Sequence, residues 1–171
     1  ELYGLAKENT NRIFPSEVRN MAEVISEIIF GEDGELMPED EEFRNMMTET
    51  PDDKSMYVIT NKSKLFGAAA MLYEENLYDL SQQLDSDLYI LPSSTHEVIA
   101  ISDKFGDANE LADMVYEINM DQVDLSDRLS NQVYHYDKEA RTLRLATNKF
   151  ERTISDDIKE KTPEIEEGKA R

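Results

Sequence analysis

Apolar residues recur along this chain in two rhythms, and the change falls near residue 56. Before it the spacing is helical. Leu2, Leu5 and Ala6 predict a helix over Glu1–Asn11, which Pro15 interrupts. Ser16 offers an N-cap to a second helix, although Arg19 stands where a capping box needs Glu or Gln. Met21, Val24, Ile25, Ile28 and Ile29 then fall at i, i+3, i+4, i+7 and i+8, one apolar stripe closed by Gly31.

Beyond Met56 the period shortens to that of strands. Met56–Thr60 predicts a strand, Asn61–Lys64 a turn and Phe66–Tyr73 a second strand, in which Gly67–Ala70 leaves room for something packed close above. Glu75–Leu84 predicts a helix with Leu77, Leu80 and Leu84 inward. Leu88–Leu91 and Val98–Ser102 flank the polar turn Pro92–Glu97, with Ile90 and Ile99 expected in the core. Asp107 caps a helix running to Asn119, with Leu111, Met114, Val115 and Ile118 on one face. Val133–Tyr136 and Thr142–Ala146 predict a last hairpin.

Short connections between strands require antiparallel pairing, so the expectation is an α+β fold: about six antiparallel strands in repeated hairpin–helix units, helices on one face, and N-terminal helices besides. Four parts follow: an N-terminal helical segment (1–31), an acidic linker (32–55), the α+β domain (56–150) and a charged tail (151–171). The linker admits two readings, a mobile connection or a short helix over Glu39–Met47 anchored by Phe43, Met46 and Met47.

Composition narrows the function more than it names it. The 171 residues can bury a core without staples. The chain has no cysteine, which excludes disulfides, thiolate metal sites and cysteine catalysis and fits a reducing compartment. No apolar run of membrane-spanning length is present and no signal-peptide pattern is visible, and a chain opening on Glu1 is expected to be a fragment or a processed product. The net charge is −20, from 38 acidic against 18 basic residues. Such a surface repels phosphate backbones and anionic lipid, so neither nucleic acid nor membrane is expected as a partner. An acidic decoy for a basic protein is one reading of that charge. A solvated acidic surface is the plainer one.

The one stretch more specific than packing requires is the turn Ser93-Ser94-Thr95-His96-Glu97. Ser93 or Ser94 can be a nucleophile and His96 a base, with Glu97 or a distant acid to orient it. Against this, alternation sends His96 and Glu97 to opposite faces. The turn lacks the glycine-flanked elbow of hydrolase serines, and Ser and Thr favour turns for local reasons. Structural turn chemistry is therefore favoured, a ligand site comes next, and catalysis last. His135, in Val133-Tyr-His-Tyr136, reads as an exposed strand residue. No paired-histidine spacing, calcium loop or phosphate loop exists, so no metal and no cofactor is assigned.

Several segments carry a resemblance. They are Met56-Tyr-Val-Ile-Thr-Asn61, Phe66-Gly-Ala-Ala69, Leu91-Pro-Ser-Ser94, His96-Glu-Val98, Met114-Val-x-Glu-x-Asn119 and Leu129-Ser-x-x-Val-Tyr-x-Tyr-Asp137. Glu1-Leu-Tyr-x-Leu-Ala-x-Glu-Asn-Thr10 and Phe14-Pro15 join them. Together they resemble the C-terminal part of a bacterial domain-of-unknown-function family. The resemblance implies a cytoplasmic bacterial protein whose N-terminal half is absent, and supplies no activity or catalytic residue. The leading expectation is a non-enzymatic binding or interaction module with a protein or small-molecule partner. The alternatives are a hydrolase-type or other small-molecule enzyme centred on Ser93–Glu97, and the acidic decoy.

Overall fold

A computed structural model describes residues 2–30, 54–92 and 94–147. Linker residues 32–53, with the Glu39–Met47 reading, and Gly31, Ser93 and the tail lie outside the described residues.

In chain order the elements are α1 (Leu2–Ile13), β1 (Ser16–Asn20), α2 (Met21–Phe30), β2 (Met56–Asn61), a 3₁₀ segment (Gly67–Leu72), α3 (Glu74–Gln83), β3 (Leu88–Leu91), β4 (Val98–Ser102), a one-turn 3₁₀ helix (Asp103–Phe105), α4 (Ala108–Asp121), β5 (Tyr134–Asp137) and β6 (Thr142–Leu145). The six strands form one sheet in the order β1-β2-β4-β3-β5-β6, and every neighbouring pair is antiparallel. The expected α+β class and six antiparallel strands are present.

Two elements differ from the expectation. Ser16 is not a helix cap but the first residue of β1, paired with Asn61. Its Oγ donates to Asn76 Oδ1 at 2.8 Å, and the cap of α2 is Asn20, whose Oδ1 accepts from the Ala22 N–H at 2.8 Å. Nor is Phe66–Tyr73 a strand. Both edges of β2 are already taken, by β1 and β4. The alanine-rich run therefore coils into the 3₁₀ segment and buries Ala68 and Ala70 in the core. The first hairpin–helix unit is thus replaced by a pairing of β2 with β1.

The helices do not share a face. α3 places Leu77, Leu80 and Leu84 against Tyr57, Ile59, Leu88, Ile90, Val98, Ala100 and Tyr136. α4 places Leu111, Ala112 and Val115 against Leu91, Ile101 and Val133, on the opposite side. Topology explains this. The β2–α3–β3 and β4–α4–β5 crossovers both skip one strand in the same direction across the sheet. They start from strands of opposite polarity, so two right-handed crossovers must cover opposite faces. Ile90 is wholly buried, whereas Ile99 is half-buried and packs on the α4 side. On α4, Met114 and Ile118 stay 37% and 43% exposed; the buried stripe runs instead through Ala108, Leu111, Ala112, Val115 and Asn119. Among the described residues, no helix is long and apolar enough to cross a membrane.

Candidate functional site

The Pro92–Glu97 turn joins β3 to β4, and backbone bonds clamp it from two sides. On one side the 124–130 segment pairs with it. The Thr95 N–H donates to the Asp127 carbonyl at 2.8 Å, the Ser130 N–H to the Pro92 carbonyl at 2.9 Å, and Ser94 bridges to Arg128. On the other side lies the start of the 3₁₀ segment. The Ala68 N–H donates to the Thr95 carbonyl at 3.2 Å and Thr60 Oγ1 to the His96 carbonyl at 2.7 Å. Gly67 is obligatory in this packing. A Cβ there would collide with Thr60 Oγ1, the His96 carbonyl oxygen and the Asn61 backbone nitrogen.

The four described candidates, Ser94, Thr95, His96 and Glu97, each have a position. Ser94 is buried, and its Oγ accepts from the His96 backbone N–H at 3.0 Å, a local turn bond. Thr95 Oγ1 is buried with no hydrogen-bond partner, although the residue itself is half-buried. Glu97 is half-buried and leads into β4. The carboxylate beside His96 is the distant Asp127, whose Oδ1 lies 3.7 Å from Nε2.

The His96 ring accepts rather than offers. Its Nδ1 takes a hydrogen bond from the Phe66 backbone N–H at 3.2 Å. The ring proton therefore sits on Nε2, facing Asp127 across a gap too long for a direct hydrogen bond. The ring's one lone pair is engaged, so action as a base requires breaking the Phe66 bond. Phe66 itself has φ 51, the left-handed region that bulky residues avoid. Its ring lies 5.7 Å from the imidazole, and the residue is 65% exposed. Leu65, Leu125 and Leu129, on the two segments that clamp the turn, are 54%, 72% and 46% exposed. The site thus displays apolar side chains on a rigid backbone.

A second cluster has no signature in the local sequence. Leu88 pairs with Ser102, and the Asp103 N–H donates to the Asp87 carbonyl at 3.0 Å, so the register sets Asp87 opposite Asp103. His135, opposite Tyr89 on β5, completes the group: its Nε2 lies 3.4 Å from Asp87 Oδ2. One donor atom from each of the three residues lies within 4.8 Å of the others. Burial pushes the nearby Tyr89 phenol above its ordinary pKa, with Asp103 and Asp107 adding to the effect. The hairpin register was the signal available, since two strands closed on the turn bring 87 and 103 together.

An antiparallel α+β sheet carrying one backbone-clamped turn defines the structural class. The chain belongs to the Family of unknown function (DUF5688), whose model matches residues 1–138. No curated protein and no solved structure shows significant similarity to it.

Proposed function

We propose that the chain is a non-enzymatic interaction module whose contact surface is the clamped turn. One observation carries this reading: Phe66 is held at φ 51 with 65% of its surface exposed. A left-handed backbone costs a bulky residue on the order of 1 kcal/mol or more, and leaving a large apolar side chain in water forgoes about 2 kcal/mol. The fold uses the Phe66 backbone, whose N–H bonds to His96, but gains little from the exposed ring. A partner with an apolar pocket recovers that burial, and an aromatic anchor on a clamped backbone loses little entropy on binding. The hydrolase alternative has less support, because Ser94 Oγ bonds to a backbone N–H rather than to the imidazole. The bacterial, cytoplasmic setting and the place of this chain at the C-terminal end of a longer protein rest on the resemblance alone.

The experiment compares partner retention by the parent and by Phe66→Ala, with Leu145→Ala as an exposed-leucine control on β6. Phe66→Ala should keep the parent's unfolding midpoint and lose the retained protein, while the control keeps both. Equal retention by Phe66→Ala and the parent overturns the reading.

A further inference from the structure

We infer that Asp87, Asp103 and His135 form a binding site for one divalent transition-metal ion of the Zn²⁺ or Mn²⁺ class. The inference is independent of the interaction surface, which lies at the opposite end of the β3–β4 hairpin.

The geometry suits an ion. The 3.4 Å between His135 Nε2 and Asp87 Oδ2 matches the donor–donor edge, about 3.4 Å, of a tetrahedron with arms of about 2.1 Å. All three donors lie within 4.8 Å of one another, so small side-chain rotations bring the third onto a shared centre. Asp87 is already fixed in orientation, because its other oxygen, Oδ1, accepts from the Lys138 backbone N–H at 3.0 Å.

The electrostatics point the same way. Asp87 and Asp103 stand opposite each other just beyond the ends of β3 and β4, where like charges repel as they do across a strand pair. The two lysines adjoining the cluster direct their ammonium groups to Asp85, Lys138 Nζ to its Oδ1 at 2.7 Å and Lys104 Nζ to its carbonyl at 3.0 Å. A cation between Asp87 and Asp103 removes that repulsion. The imidazole selects the kind of cation. Mg²⁺ and Ca²⁺ favour all-oxygen shells, whereas one imidazole with two carboxylates suits the first-row metals. Three protein ligands leave at least one position for water or a further ligand.

The test titrates the full chain, stripped with chelator, with Zn²⁺ and separately with Mn²⁺ by calorimetry. Physiological salt screens diffuse attraction to the acidic surface. One saturable equivalent is expected. His135→Gln leaves the charge unchanged and should weaken binding on the order of tenfold or more, as should Asp103→Asn. Asp124→Asn removes an equal charge elsewhere and should leave the affinity intact. No saturable equivalent, or equal affinity in His135→Gln, overturns the site and leaves a diffuse counter-ion cloud. If His135→Gln fails to fold, Mn²⁺-induced NMR line broadening in the parent decides. Broadening confined to His135, Tyr89 and their neighbours supports the site, and uniform broadening overturns it.

Discussion

The chain's two histidines sit toward opposite ends of the β3–β4 hairpin, and their surroundings are opposite in kind. His96 is tied into its turn at three points: its Nδ1 accepts from the Phe66 backbone N–H, its carbonyl accepts from the Thr60 hydroxyl, and its own N–H donates to Ser94 Oγ. His135 faces side chains, two carboxylates and the edge of Tyr89. The residue that reads as chemistry in the sequence, ringed by hydroxyls, is committed to holding a turn. The residue that reads as plain strand is the one on which two carboxylates converge. Hydroxyl-rich turns satisfy themselves locally, whereas convergent side chains come from strands that meet only in the folded sheet.

The largest expected effect breaks the clamped end. Gly67→Ala drives a methyl group into Thr60, Asn61 and the His96 carbonyl, two of which are backbone contacts with little room to give. Denaturant unfolding should show a loss of about 3 kcal/mol, the upper range for overpacking. A loss below about 1 kcal/mol would mean that this end yields, and the contrast with the His135 end would weaken. Next in size is His96→Ala, which leaves the Phe66 N–H without its acceptor and removes the ring beside Phe66. Its side chain is 27% exposed, so water replaces part of the lost bond, and the expected cost is about 1–2 kcal/mol.

These two substitutions also mark what the sequence disclosed. The α3, β3, β4, α4, β5 and β6 elements were legible because each carries its own period and its own cap or turn. Asp107 accepts from the Asn109 and Glu110 N–H groups, as its position before an apolar stripe implies. β1 was not legible: Ser16-Glu-Val-Arg-Asn20 has a single apolar residue, and only its pairing with β2 makes it a strand. Phe66–Tyr73 misled because a short apolar run has no period to separate strand from helix. Within the site the turn was visible and its partners were not. Phe66 lies 30 positions from His96, and no local pattern encodes that contact.

A gentler probe of the clamped end is the Tyr73 phenol. The 3₁₀ segment that begins at Gly67 delivers this buried ring to the core, and burial raises its pKa above the ordinary value. A folded-state pKa above the unfolded one gives stability that is present below the unfolded value, about 10, and is lost as pH rises through the folded value. A spectrophotometric titration should therefore show Tyr73 ionising later than an exposed tyrosine, with stability declining above about pH 10 and Tyr73→Phe flattening that decline. Ionisation of Tyr73 at the ordinary value would show that the clamped end opens to water without unfolding.

The smallest effect sharpens the comparison from the other side. In chelated, metal-free buffer His135→Gln should change unfolding stability by less than about 0.5 kcal/mol, since even a full ion pair this exposed contributes only about 0–1 kcal/mol. The His135 side chain is 31% exposed and its partner Asp87 32%, so solvent screens their 3.4 Å contact. Asp87 keeps its own anchor, the Lys138 N–H, whatever stands at 135. Glutamine preserves neutrality and much of the volume, and Tyr89 loses only an edge-on neighbour at 5.6 Å. Chemical denaturation of the two proteins side by side reads the difference directly. A loss above about 1 kcal/mol would place His135 among the structural residues that the sheet depends on, as overpacking or a broken bond does elsewhere. The two histidines would then differ in their partners and not in their role. A near-zero change leaves His135 free of any duty in the apo fold, which is the condition under which a metal-dependent gain in stability can be assigned to it.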